Sequence, residues 1–428
     1  MSVSIRRRFG ALDERPFRLL WLGQLISAVG DALVPVALAF AVLDRLDGSA
    51  GDLGVVLAAF MGSRMVFIVV GGVWSDRLPR QFVMIAADLV RAAVQAVIAV
   101  AFFTDAIQIW QLAVSSAIFG AASAFFVPAS TGLVPTIVSR ARLQQANALV
   151  GLSQSAVSIF GPALAGVLVA LVGYGPIFAI DSLSFLGSAV CLFAMRLPAG
   201  AARVAKQTFV KDVARGMHEV RTRTWLWSAF ITFSLSNVAI AVYFVLGPLV
   251  VAEHLGGASS WGLIMTGGAI GGLLGGALAL RWRPRRPLIP AFVCMLSVSL
   301  QLLGLVPPLA VPLLMFGAML AVGSIALGNA FWHTMLQQHV PQEAMSRVSA
   351  LDWMVSLVFM PLGYTLAGPL SNAIGVDGTL VLAAGLGAAA NLGLLLVPSV
   401  RNLTRRDEPH AVEVEPSEEL VGPVAVLD

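Results

Sequence analysis

Twelve stretches of this chain are long and apolar enough to span a lipid bilayer, and that pattern constrains the fold before any motif is read. They run over 17–42, 53–75, 82–104, 109–133, 146–171, 174–195, 225–251, 258–281, 288–306, 309–333, 348–373 and 376–398. Each is bounded by charge, by Gly/Pro clusters or by both. A spanning helix takes roughly 20 apolar residues, so twelve of them use most of the 428 residues and leave only short connections. With 58% hydrophobic and 12% charged residues, the chain lies far from soluble globular composition.

The charges that remain report topology. Of 27 Lys and Arg, 24 fall on one of the two sides that alternate through the twelve spans, Arg45 alone falls on the other, and Arg64 and Arg91 lie inside spans. By the positive-inside rule both termini are expected in the cytoplasm. Basic residues in short clusters between apolar runs are not a nucleic-acid footprint, so no nucleic-acid partner is expected. Cys191 and Cys294 stand far apart inside apolar runs, with no disulfide or metal-ligand spacing. The first apolar run is too long for the core of a signal peptide and contains Asp31, which makes it the first span.

Five segments follow: a cytoplasmic N-terminal segment (1–16), a six-helix bundle (17–195), a cytoplasmic linker (196–224), a second six-helix bundle (225–398) and a cytoplasmic tail (399–428). In the linker, Phe209, Val213, Met217 and Val220 recur at helical spacing against charged residues, the pattern of an amphipathic helix lying on the membrane surface. The acidic tail has no long apolar run and is expected to be disordered. The halves read as copies offset by about 200 residues. "GGVWSDRLPR" at 71–80 corresponds to "GGALALRWRPRR" at 275–286, and "AVSIFGP" at 156–162 to "VSLVFMP" at 355–361. The expected fold class is therefore all-α integral membrane, twelve transmembrane helices in two pseudo-symmetric six-helix bundles, a transporter plan.

These residues resemble the major facilitator superfamily over essentially the whole chain. Gly72, Asp76, Arg77 and Arg80 match its loop motif between spans 2 and 3, with Pro79 and Gln81 departing from it. The second-half copy keeps Gly276 and Arg281 but has Leu280 where the acid stands. Gly161, Pro162 and Gly166 are similar to the bend motif of proton-driven exporters, although Val157 and Ala165 replace two usual glycines. "SAVGDALVPVALAF" (27–40), "FFVPASTGLVPTIV" (125–138), "LQQANAL" (143–149) and "FAIDSLSFLGSAV" (178–190) resemble the branch that holds macrolide efflux proteins and the enterobactin exporter. The resemblance implies the major facilitator fold and a proton-coupled exporter of an amphipathic small molecule such as an antibiotic, drug or siderophore. It implies work as a monomer in the inner membrane of a bacterium, with no cofactor beyond the proton gradient.

Several residues are candidates for mechanism. A carboxylate inside a span costs about 2.5–3.5 kcal/mol on insertion scales. Gln24, Ser27 and Asp31 share one helix face, so Asp31 is a proton-coupling candidate on a cavity wall, the other reading being a structural carboxylate bonded to a neighbouring helix. Arg64 joins it as a coupling candidate, either as the ion-pair partner of Asp31 or Asp181 or as a contact for an anionic substrate. Asp88 and Arg91 are three residues apart and can meet on one helical face. With Gly72, Asp76, Arg77, Arg80 and Asp352 they make a candidate cytoplasmic gate, or else static glue between helices. By the resemblance, the loop-motif Asp sits near the start of span 11 and helps hold an outward-facing state. Further cavity candidates are Gln154, Ser234, Asn237, Asn329, Trp332 and Tyr364, each able to serve equally as an interhelical hydrogen-bonding group. The overlapping GxxxG runs of Gly267, Gly271 and Gly275 and of Gly268, Gly272 and Gly276 predict close packing against a neighbouring span.

Other classes lack their signatures. There is no P-loop, HExxH or GxSxG, so neither an ATP-driven pump nor an intramembrane enzyme is expected, and no metal site. An uptake carrier or facilitator of the same fold remains the rival, with a non-transporting membrane sensor or scaffold behind it.

Overall fold

The computed structural model describes residues 10–195, 220–341, 345, 348–349, 351–352, 354–355 and 358–405, with backbone only for 69–77 and 140. The linker helix expected within 196–219 and the tail beyond 405 lie outside the described residues.

The described chain is helical apart from its connections, as lipid requires, because a helix satisfies its own backbone polar groups. The first half contains α1 (Arg15–Phe40), α2 (Ala50–Arg77), α3 (Arg80–Phe103), α4 (Ile109–Ile137), α5 (Leu143–Val172) and α6 (Tyr174–Phe193). The second contains α7 (Thr224–His254), α8 (Ala258–Arg281), α9 (Leu288–Leu303), α10 (Val311–His339), α11 (360–374) and α12 (376–395). Helix α9 is broken at Met295 into Leu288–Cys294 and Leu296–Leu303. Among the described residues, ten helices are long and apolar enough to cross a membrane when α11 and α12 are taken as the single segment Met360–Leu395. Division at Gly375 and inclusion of the broken α9 give the twelve that the sequence predicts.

Local signals set the ends. Pro16 occupies the first turn of α1, where its missing N–H costs nothing. Gln108 and Gln111 form a capping box at the start of α4, with the Gln108 N–H donating to Gln111 Oε1 at 2.8 Å. Gly173 (φ +78°) joins α5 to α6, and Gly375 (φ +79°) joins α11 to α12 at the equivalent point of the second half. Both tight connections require a left-handed residue, which glycine supplies without strain.

The two halves repeat one packing scheme. Helix α2 lies on α4 as α8 lies on α10, and α6 lies on α1 and α3 as the α11–α12 segment lies on α7 and α9. The glycine run of α8 faces backbone: a side chain at Gly267, Gly271 or Gly275 would strike the main chain of Met315, Met319 or Gly323 on α10. That is the close packing the spacing predicts. Outward, Leu171, Phe193, Leu280 and Leu396 are 74, 78, 76 and 77% exposed, an apolar surface suited to lipid rather than water.

Among the described residues the halves meet toward one end. We call the end bearing Gly10 and Arg405 the arginine-rich face. Away from it, one apolar cluster crosses the seam, joining Leu33, Val36, Phe40, Leu53 and Val56 to Val242, Val245, Trp261, Tyr364 and Ala367. Toward the arginine-rich face the core divides in two, around Phe17, Met84 and Leu133 in the first half and around Trp225, Phe230 and Met335 in the second. Small residues make the seam: Gly51 abuts Gly368, Gly54 abuts the Tyr364 carbonyl, and Gly166 and Gly262 bring α5 against α8. Ser259 Oγ donates across it to the Gly166 carbonyl at 3.2 Å.

Candidate transport cavity

Because the halves part on the arginine-rich side, a cavity of about 550 Å³ runs from that side into the first half. It is lined from α1 to α5. Trp21, Val134, Pro135, Leu143 and Asn147 stand near its mouth; Asp31, Phe60, Arg64, Arg91 and Phe119 lie deeper. Aromatic walls with a few polar groups are the usual make-up of a small-molecule site. Gln24, Ser27, Asp31 and Gln154, read from the sequence as cavity residues, all line it. Gln24 Nε2 donates to Ser130 Oγ at 2.5 Å and Trp21 Nε1 to Ser153 Oγ at 2.9 Å, tying α1 to α4 and α5 along the wall.

Asp31 and Arg64 face this space without an ion pair within 4 Å or a hydrogen bond to any described residue, although Arg64 and Arg91 both lie within Coulomb range of Asp31. Neither alternative for Arg64 as a direct salt-bridge partner of Asp31 or Asp181 is realised here. Asp88 and Arg91 do pair on one face of α3, both buried. The Arg91 guanidinium also lies 4.4 Å from the ring centre of Phe126, 4.3 Å from Phe185 and 5.9 Å from Phe119. Such a cage holds a cation by its ring quadrupoles while excluding water. The sequence missed this cage because its three rings come from α4 and α6, remote in sequence from Arg91.

Of the candidate gate, the structure describes the side chains of Arg80, Asp88, Arg91 and Asp352. Arg80 donates to the Gly132 carbonyl of α4. Asp352, buried, accepts from the Trp332 indole at 3.0 Å. The side chains of Gly72, Asp76 and Arg77 lie outside the described residues.

None of the second-half cavity candidates lines this cavity. Ser234 is buried and bonds the carbonyls of Phe230 and Val355 at 2.9 and 2.8 Å. Trp332 packs edge-on against Trp225, Phe230 and Phe233. Tyr364 is buried in the apolar cluster at the seam. Asn237 donates to the Phe233 carbonyl at 2.9 Å, and Asn329 is exposed; neither lines the cavity. The exporter-motif residues serve contact: Gly161 admits Ala32 of α1, Gly166 and Pro162 lie on the α5–α8 seam, and α5 runs on as helix through Pro162. Among the described residues no cluster of His, Cys, Asp and Glu could hold a metal ion.

Two repeated six-helix bundles, one of them holding a cavity lined by aromatic and charged side chains, define a secondary-transporter architecture. The chain belongs to the Major Facilitator Superfamily, whose family model matches residues 20–364. It is 26% identical over 382 residues to macrolide efflux protein A of Streptococcus pyogenes, covering 86% of this chain and 93% of that protein. It is also 26% identical over 404 residues to the multidrug efflux pump Tap of Mycobacterium bovis, covering 91% and 95%. The fold matches the nucleoside transporter NupG with a TM-score of 0.69 at 13% identity, over 89% of this chain and 98% of that one. A bacterial homologue of the iron transporter ferroportin in an inward-facing state gives 0.68 at 18% identity, over 89% and 98%.

Proposed function

We propose that this transporter is a proton-coupled exporter of amphipathic small molecules, working by alternating access in the inner membrane of a bacterium with its arginine-rich face in the cytoplasm. The observation that carries the reading is Asp31, a carboxylate without a direct partner on the wall of an aromatic cavity that is sealed on the opposite side. The cavity then takes substrate from the cytoplasm or the inner leaflet. A proton and a substrate that exclude one another at Asp31 make an antiporter, and a rocking motion of the halves about the seam exposes the site to the other side. Similarity to a macrolide efflux protein and a multidrug efflux pump supports export as the direction. The rival is an uptake carrier or facilitator of the same fold, and the match to a nucleoside transporter shares only the fold with this chain.

The test is transport in everted vesicles against erythromycin, ethidium and a ferric siderophore, with and without an interior-acid pH gradient. Gradient-dependent accumulation of one of them supports export. Movement in the opposite sense, or transport indifferent to the gradient, selects the rival.

A further inference from the structure

Beyond their terminal turns, helices α1 to α6 carry three acids, Asp31, Asp88 and Asp181, and two bases, Arg64 and Arg91. Five ionised groups would leave one uncompensated negative charge in a low-dielectric region, which is costly. One proton on one carboxyl restores neutrality. The geometry identifies which carboxyl carries it. Asp88 is paired with Arg91. Asp31 faces a cavity that also holds Arg64 and Arg91. Asp181 is fully buried on α6 and makes no ion pair among the described residues. Its partners are uncharged: Gln95 Nε2 donates to Oδ2 at 2.6 Å, and Ser184 Oγ lies 3.3 Å from Oδ1.

Asp181 is placed directly behind Asp31. Helix α1 approaches α6 through Gly30, where an added Cβ would lie 2.5 Å from Asp181 Oδ1 and 2.9 Å from Ser184 Cβ. Only a residue without a side chain lets the backbone beside Asp31 rest on this carboxyl. Beyond the terminal turns, where Arg15, Arg18 and Arg80 stand, the charged groups on the helices around α6 are Asp31 on α1 and Asp88 and Arg91 on α3; α4 and α5 have none. Arg91 is itself occupied by Asp88 and by its aromatic cage.

Resting on the proton-coupled reading above, we propose that Asp181 is a second proton-binding group of the first half, holding a proton behind the cavity wall in the conformation described and sensing the charge of Asp31 across Gly30. The step involves a proton alone: an O–H bond forms at Asp181 as the proton leaves water or Asp31, with no change in oxidation state.

Infrared spectroscopy of the purified full-length protein in lipid reads this without any substrate. Near neutral pH the wild type should show a protonated-carboxyl C=O band that is lost on alkaline titration. Asp181→Asn should remove that component, and Asp31→Asn should retain it while displacing its titration midpoint. Gln95→Met keeps the carboxyl but deletes its amide donor, so the band should shift in frequency; this variant serves if Asp181→Asn does not fold. An undiminished band in Asp181→Asn, or an unmoved frequency in Gln95→Met, overturns the proposal. Absence of pH-driven transport in a wild type whose band behaves as described would instead remove the coupling reading and leave the proton site standing.

Discussion

The indole of Trp332 on α10 donates to Oδ2 of Asp352 at 3.0 Å, with both side chains buried. This bond ties α10 to the chain leading into α11 on the arginine-rich side of the second half. Leaving a buried acceptor without one of its donors costs about 1–3 kcal/mol, and more when the acceptor is charged. We predict that Trp332→Phe, which keeps most of the aromatic packing, lowers stability by that amount in thermal unfolding of the detergent-solubilised protein. Trp332→Leu should cost more, because the contacts with Trp225, Phe230 and Phe233 are lost as well.

Arg91 and Asp88 form a buried pair whose members should fail singly and recover together. Removing one partner of such a pair costs about 3–5 kcal/mol, whereas replacing both by uncharged groups is often neutral. Arg91→Leu and Asp88→Leu should each reduce the folded fraction recovered by size-exclusion chromatography, and the double substitution should restore most of it. A double variant as poor as the worse single one would show that the pair does not act as a unit.

Seam glycines hold the opposite face shut. A side chain at Gly368 would strike the Gly51 backbone, and one at Gly54 the Tyr364 carbonyl. Gly54→Leu and Gly368→Leu should therefore disfavour the closed seam. In a background with Cys191 and Cys294 replaced by Ser, a cysteine at Val242 should react faster with an impermeant maleimide from that side in either variant. Equal rates would mean that the seam closes regardless of these contacts.

Asp31→Asn is expected to reach the membrane in normal amount but to lose pH-gradient-driven transport of whichever probe the wild type moves. Counterflow down a substrate gradient should persist, because the cavity keeps its shape. Full gradient-driven transport by the variant would remove Asp31 from the coupling role.

Span positions were legible because apolar length is a property of consecutive residues. Their ends moved where chemistry is local. Helix α10 continues through Gln337, Gln338 and His339, past the point where apolarity stops, and α4 continues through Pro135 to Ile137. The first span ends in a π-turn at Ala41–Arg45 that looks apolar at its start. The Asp88–Arg91 pair was readable from three-residue spacing, and the Gln24–Asp31 stripe from helical period. Trp332 and Tyr364 were misplaced because an aromatic residue in a charge-poor span reads the same whether it faces a cavity or the core. Neither the Arg91 cage nor the Asp181–Gly30 contact follows from spacing, since each joins separate helices.

Among the described residues, the charges within the first half have few counterparts in the second, where Asp352 and His333 are the acidic and basic side chains away from the helix ends. A transmembrane voltage does work of about 2.3 kcal/mol per elementary charge per 100 mV, and it can do so only on charge that lies in the field. On the reading proposed above, the voltage would act on the first bundle only while its five charged groups are not balanced by a bound proton, and the second bundle would follow through the glycine seam.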